Sequence, residues 1–223
     1  MEKHYEIVRI STPPPPLASL DGSPWRDASV ARIEWFHPEG SDHRPAVDFR
    51  ALWDKAELIA RYTVTDRFVR CVHTGFQDPV YEDSCCELFV KPGDTGYFNI
   101  EINAIGALLG SWITDPTRTD KGFAGQEPLP AQADHEIRRF TTLTGPIDPE
   151  IDRETRYEIE VRIPFVLLSQ LSGTLPPKPG DRWRGNIYKC SENSSRPHWG
   201  AWSPIGDRLE YHQPDRFGEF VFS

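Results

Sequence analysis

The sequence predicts an all-β protein, a single antiparallel β-sandwich with one short helix, in which residues 1–223 form one domain. Three observations lead to this fold class. Apolar and polar residues alternate with a period of two in many short segments, as in strands that bury one face. The chain contains 21 prolines, about twice the usual share, and proline interrupts long helices. It also contains 7 Trp, 12 Phe and 7 Tyr, aromatic residues that favour strands.

The first part of the chain is expected to form a strand and then a hairpin. The first strand is Tyr5–Ile10. Residues 58–64 alternate in polarity, the pair Asp66-Arg67 is typical of a turn, and Phe68–Thr74 would form the second arm. We therefore expect an antiparallel hairpin over residues 58–74.

Two neighbouring segments in the middle of the chain place polar side chains together on one face. Their apolar rows are Cys86, Leu88 and Val90, then Phe98, Ile100 and Ile102. Because side chains alternate along a strand, the opposite face carries Glu87 on the first segment and Asn99, Glu101 and Asn103 on the second. The connection over 91–96 is short, so the two strands should pair and bring Glu87 close to this polar row. A plain solvated face is the alternative interpretation.

The second half of the chain continues the pattern of strands. Residues 157–163 show the clearest alternation in the sequence. Pro164 then begins a short helix, Phe165–Leu171, which Gly173 ends. The stretch 114–134 is too long for a simple hairpin, and loops of this length often carry function.

The charge balance excludes several classes of partner. Twenty-five Lys and Arg against 34 Asp and Glu give a net charge of −9, which disfavours nucleic acids and anionic membranes. No apolar run approaches the roughly 20 residues needed to cross a bilayer. The N-terminus lacks the basic and apolar pattern of an export signal, so a cytoplasmic location is expected, with a secreted chain that has lost its signal as the alternative.

The metal-binding residue types show no spacing that indicates a metal centre. The cysteines are expected to be free thiols, because no Cys-x-x-Cys spacing occurs and a reducing compartment is expected. The 7 histidines include no His-x-His or His-Glu-x-x-His pattern. The residues themselves therefore predict neither a metal site nor a cofactor.

Three aromatic residues are candidates for a surface on which a sugar stacks. Trp199 and Trp202 lie close together among small residues, and Tyr81 lies in a polar loop just before the Glu87 segment. A flat aromatic ring can cover the C–H face of a sugar with little loss of side-chain entropy. The alternative for each tryptophan is burial in the core.

Glu87 and Glu101 also suggest a second function, a glycoside-active enzyme. Glycosidases use two carboxyl groups about 5–9.5 Å apart as acid, base or nucleophile. Paired carboxylates are common in β-proteins, so this interpretation is kept as the alternative to binding. The chain contains no Gly-rich phosphate loop and no Gly-x-Ser-x-Gly elbow.

Several stretches together resemble the family 9 carbohydrate-binding modules, which are related to the DOMON-like β-sandwiches of jelly-roll type. The order and spacing of these stretches are more specific than any one of them, and the resemblance covers the chain from about residue 20. The stretches are Tyr81–Val90, Tyr97–Asn103, Ala201–Pro204, His212–Pro214 and Phe217–Phe222.

The resemblance implies a non-catalytic module that binds a mono- or oligosaccharide between two aromatic side chains. Tyr81 would be the first aromatic platform, and Trp199 or Trp202 the second. Glu87 and Asn103 match the family's strand carboxylate and asparagine, and with Asn99 and Glu101 they would bind the sugar hydroxyls. Glu101 stands where xylanase-linked members have Arg, so an acceptor replaces a donor.

The resemblance also bears on partners and on cofactors. Association with glycoside hydrolases is expected for such a module. Some relatives contain structural calcium, for which Asp78, Glu82 and Asp83 could supply oxygen ligands. The haem-binding DOMON-like proteins ligate iron through Met and His, and the only methionine here is Met1. A structural domain that has lost its ligand is the remaining alternative.

Overall fold

A computed structural model of the chain describes residues 3–223 as two β-layers packed face to face. The helices are α1 (Ala133–Glu136) and α2 (Phe165–Ser172). The strands are β1 (His4–Arg9), β2 (Ala31–Arg32), β3 (Trp35–Phe36), β4 (Ala46–Trp53), β5 (Glu57–Cys71), β6 (Cys85–Lys91), β7 (Tyr97–Asn103), β8 (Leu108–Thr119), β9 (Gly122–Pro128), β10 (Arg138–Thr141), β11 (Ile147–Pro164), β12 (Arg182–Ser191), β13 (His198–Ala201) and β14 (Gly218–Phe222).

The two layers are joined through β1. One layer has the order β10-β11-β5-β4, with β2 beside β4, and the other has the order β14-β12-β6-β7-β8-β9. The first half of β1 pairs with β14 and its end pairs with β4, in both cases in parallel. All other strand pairs are antiparallel. The all-β sandwich predicted from the sequence is confirmed, but β1 makes the sheet mixed.

The main core lies between the two layers. The predicted apolar rows of β6 and β7 point into it, where they meet the inward side chains of β5 and β11. Because these rows are inward, the alternate side chains of β6 and β7 point away from the opposite layer. That outer face carries a second apolar cluster, which includes Phe89, Tyr97, Tyr188 and Phe217.

The short helix predicted at Phe165–Leu171 is confirmed, with one further residue at its end. Gly173 follows it with φ of +71°, the left-handed conformation that ends many helices. A second helix, α1, was not predicted. It is a single turn at the end of the segment 114–134. Among the described residues, no helix is long and apolar enough to cross a membrane.

The predicted hairpin over 58–74 is wrong, because β5 continues without a turn through Asp66 and Arg67. Asp66 is a buried residue, and its carboxylate lies 3.3 Å from the Nζ of Lys189 on β12. It also contacts His43 Nε2 at 2.6 Å. A charged residue that is typical of turns is here the partner of a buried cation.

The ion pair between Asp66 and Lys189 connects the two layers in the interior. Burial alone would raise the pKa of Asp66, but Lys189 and then His43 hold it well below its ordinary range. Burial opposes the charge of Lys189 too, yet Asp66 keeps the pKa of the amine raised. Lys189 Nζ also lies 2.9 Å from Nε2 of His198 and donates to the carbonyl of Cys190. Both groups are therefore charged at neutral pH.

We expect Lys189→Met and Asp66→Asn each to lower the free energy of unfolding by about 3–5 kcal/mol, because each leaves a buried charge without its partner. Arg67→Ala is the control, since its ion pair with Asp152 is exposed and should contribute less than about 1 kcal/mol. Urea denaturation measures all three. Losses no larger than that of the control would show that the buried pair does not stabilise the sandwich.

Candidate functional site

A cavity of about 530 Å³ lies on the outer face of the layer that contains β6 and β7. Its lining comes from five parts of the chain: the β6–β7 strands, the turn at Val80–Glu82, the β8–β9 hairpin, the end of β12 with β13, and the segment 209–212. Five of the residues predicted from the sequence line it. They are Tyr81, Glu87, Asn99, Glu101 and Trp199.

The floor of the cavity follows from strand register. Glu87 on β6 lies directly opposite Glu101 on β7. Asn99 shares the face of Glu101, two residues earlier on the same strand. All three side chains are buried, at 2–4% exposure. The predicted proximity of Glu87 to the amide and carboxylate row is therefore observed.

Asn99 and Glu101 are held in place by hydrogen bonds that leave one oxygen free. Asn99 Nδ2 donates to Glu101 Oε1 at 2.8 Å, and its Oδ1 accepts from the backbone N–H of Ser111 at 2.7 Å. Ser111 Oγ in turn accepts from Gln126 on β9. The other carboxyl oxygen of Glu101, Oε2, is buried without a hydrogen-bond partner. It is an unsatisfied polar atom beside the cavity.

The carboxyl groups of the floor are hard to ionise. Burial raises the pKa of Glu101 to about 8. Burial, and then the nearby Glu101, raise the pKa of Glu87 well above its ordinary range. Neither carboxyl group makes an ion pair within 4.0 Å with a described side chain. At neutral pH these two carboxyl groups are therefore protonated.

The group Cys85, Glu87 and Cys190 is the only trio of potential ligand side chains close enough to share an ion among residues 3–223. All three are buried. Cys190 Sγ donates to Glu87 Oε1 at 3.2 Å, so the thiol and the carboxyl group satisfy one another without an ion. The four cysteines are free thiols, as predicted.

The two aromatic residues that the sequence predicted for the cavity are partly accessible. Tyr81 is 37% exposed, and Trp199 is half-buried. Trp199 on β13 lies opposite Cys190 on β12, so it shares the outer face with the floor residues. Its indole Nε1 donates to Glu192 Oε1 at 3.2 Å, which fixes the orientation of the ring.

The β8–β9 hairpin supplies lining residues that the sequence did not single out. Arg118 donates two hydrogen bonds to Glu210, at 2.8 and 3.1 Å, and lies over the ring of Phe123 at 4.2 Å. Arg118 and Phe123 belong to the stretch 114–134, whose length was the only signal of their role. That stretch was expected to be too long for a simple hairpin, but up to Pro128 it forms an antiparallel hairpin of β8 and β9 with two register shifts. Leu209–His212 closes the cavity from the opposite end of the chain.

His212 contributes a neutral ring to the lining. Burial lowers its pKa to about 3. Its Nδ1 lies 2.8 Å from the hydroxyl of Tyr97, and its ring centroid lies 4.2 Å from that of Phe123. Arg118 and Lys121 are therefore the cations of the lining at neutral pH.

Two residues predicted for the site lie elsewhere. Trp202 is buried in the main core, where it packs against Tyr5 and Phe220, so it is not available as a platform. Trp202 directly follows β13, and the alternation of side chains along that strand brings it to the face opposite Trp199. Asn103 is fully buried and does not line the cavity; its amide bonds the backbone of His73 and Ala107 and the carboxylate of Asp83.

The three loop carboxylates considered for calcium serve other partners. Asp83 accepts from the backbone N–H groups of Val72 and His73 in addition to Asn103. Glu82 contacts His73 Nε2 at 3.0 Å, and Asp78 accepts from the backbone N–H of Gly75. The oxygen atoms of these three carboxylates do not all lie within 4.8 Å of one another, so the donor set as placed does not fit a calcium ion.

We expect Glu101→Gln to change how stability depends on pH. The pKa of Glu101 is about 8 in the folded protein and 4.5 in the unfolded reference. The contribution of Glu101 to the free energy of unfolding is therefore fully present below pH 4.5 and is lost as the pH rises through 8. The wild type should therefore lose about 2–5 kcal/mol relative to the variant across this range, at about 1.4 kcal/mol per pKa unit. Denaturation at several pH values measures the difference.

The exposed Glu136 offers a matched control, since Glu136→Gln should leave the pH profile unchanged. Parallel profiles for the wild type and Glu101→Gln would contradict the raised pKa.

Comparison with known proteins places these features in a family. A family model described as carbohydrate-binding family 9 matches residues 19–222. A crystal structure from Bacteroides uniformis ATCC 8492, of a protein assigned as carbohydrate-binding, has 27% identity, a TM-score of 0.85 and 100% coverage of both chains. No curated protein matches the chain.

Two further structures share the fold at lower identity. They are of a family 9 carbohydrate-binding module from Caldicellulosiruptor kristjanssonii, one in complex with glucose and one with cellotriose. Each has 14% identity to this chain, a TM-score of 0.64 and coverage of 99% of this chain, with 96% and 94% of its own. The family match spans nearly all of the strands that form the sandwich and the cavity, and the chain belongs to carbohydrate-binding family 9.

Proposed function

We propose that the protein binds a mono- or oligosaccharide in the cavity without cleaving it. Membership of carbohydrate-binding family 9 supports this function. The observation that carries it is the combination, in one cavity, of partly exposed aromatic rings with a floor of buried polar groups that includes the unpartnered Oε2 of Glu101. Sugars present C–H faces to rings and hydroxyl donors to carboxyl oxygens, so both features find a partner in the same ligand.

Tyr81 and Trp199 are the proposed stacking surfaces. Each presents a rigid ring to the cavity, and Glu192 holds the indole of Trp199. Glu87, Asn99 and Glu101 are the proposed acceptors and donors for the hydroxyl groups. A stacked ring contributes on the order of 1 kcal/mol beyond burial, and a net hydrogen bond about 0.5–1.5 kcal/mol. Two rings and a few hydrogen bonds thus give a dissociation constant in roughly the micromolar-to-millimolar range.

The state of the two carboxyl groups favours binding over hydrolysis. A glycosidase needs one carboxyl group protonated and the other ionised near its working pH. Here burial raises the pKa of both Glu87 and Glu101, so the pair lacks an ionised nucleophile or base. A non-catalytic module assists an enzyme by holding a substrate nearby, and association with a glycoside hydrolase belongs to the same proposal.

We expect Tyr81→Ala and Trp199→Ala each to weaken sugar binding about 5- to 30-fold, which corresponds to about 1–2 kcal/mol. Trp199→Phe should lose less, since it keeps a ring and removes only the hydrogen bond to Glu192. Leu175→Ala is the control, because Leu175 is 77% exposed and does not line the cavity. Isothermal titration against glucose, cellobiose and a broader sugar panel measures the effect.

Unchanged affinity in both alanine variants would remove the stacking surfaces from the proposal. Hydrolysis of a chromogenic glycoside that is lost in Glu87→Gln would instead favour the enzyme alternative.

A further inference from the structure

The floor of the cavity brings together two buried carboxyl groups without a cation. Glu87 and Glu101 lie opposite one another on adjacent strands, and both are less than 5% exposed. Their partners are the thiol of Cys190 and the amide of Asn99, both uncharged. Glu101 Oε2 has no partner at all. Such an arrangement is costly for the protein alone, and it favours a ligand that supplies the missing donors.

The rest of the lining adds negative charge rather than compensating it. Glu192 and Glu210 also line the cavity, so four carboxyl groups face the two cations Arg118 and Lys121. Glu210 engages Arg118 through two hydrogen bonds. Lys121 lies exposed beside the turn of the β8–β9 hairpin. The centre of the floor therefore lacks positive charge.

We infer that the cavity selects a sugar with a free, protonated amino group, a hexosamine whose ammonium group is bound by the Glu87 and Glu101 carboxyl groups. This inference rests on the proposed function. An ammonium group offers three donors where a sugar hydroxyl offers one, and hydrogen bonds between ions are about twice as strong as those between neutral groups. The rings of Tyr81 and Trp199 favour the same ligand, since aromatic faces attract cations.

Binding of an ammonium group should release a proton from the floor. The groups that face the two carboxyls are Asn99 on β7, Cys85 on β6, Cys190 on β12 with Glu192 just after it, Arg118 on β8, and the phenols of Tyr81, Tyr188 and Tyr211. Of these, only Arg118 is a cation, and it is held by Glu210. Burial, and for Glu87 also the nearby Glu101, keep protons on the two carboxyl groups when no cation is bound. A bound cation reverses this balance, whereas a neutral sugar does not.

The test is isothermal titration of the full chain with glucosamine, glucose and N-acetylglucosamine. At about pH 6.5, below the ordinary pKa of such an amine, we expect glucosamine to bind at least tenfold more tightly than either neutral sugar. Repeating the titration in buffers of different ionisation enthalpy should show proton release for glucosamine only. Glu101→Gln should remove both the preference and the proton release, and Glu136→Gln should change neither.

Each outcome separates this inference from the proposed function. Equal or tighter binding of glucose or N-acetylglucosamine, or a preference for glucosamine that persists in Glu101→Gln, overturns the inference and leaves carbohydrate binding intact. Binding of none of the three sugars, nor of any sugar in a broader panel, by the folded protein overturns both.

Discussion

The buried ion pair between Lys189 and Asp66 is the constraint on which the arrangement of the site depends. Lys189 lies on β12 between Tyr188 and Cys190, and side chains alternate along a strand. With the amine held inside by Asp66, its two neighbours must point outward, to the cavity floor and the cluster that supports it. The charges cost desolvation energy, but a shift of β12 by one residue would separate them.

The pairing of neighbouring strands extends the effect of this ion pair from β12 to β6 and β7. β12 pairs with β6, and β6 pairs with β7, so Tyr188, Glu87 and Glu101 form one row on the outer face. β13 pairs with the other side of β12 and adds Trp199 to that face. The floor is therefore as rigid as the sandwich beneath it. Tyr211 covers the row from outside and stacks on Tyr188 with ring centroids 4.0 Å apart.

The sequence predicts those parts of the structure that depend on alternation within a strand. The inward rows of β6 and β7, and with them the position of Glu87 opposite Glu101, follow from period two and a short connection. The same rule, applied to Trp199 and Trp202, would have assigned them to opposite faces. The role of Asp66 could not be predicted, because aspartate is common in turns and its buried partner, Lys189, lies far along the chain. Arg118 and Glu210 come together only through tertiary folding.

The cavity is lined partly by an exposed hairpin and partly by buried strand residues, and these two parts can tolerate substitution during evolution to different extents. The outer part of the β8–β9 hairpin, residues 114–128, is largely exposed and contributes no residue to the main core, so substitutions there alter the wall of the cavity at low cost in stability. Floor residues such as Asn99 and Glu101 lack this freedom, because each is buried within a hydrogen-bonded network. Homologues should therefore differ in ligand preference mainly through substitutions in the hairpin, while the residues of the underlying strands change little. One scaffold can then bind different saccharides.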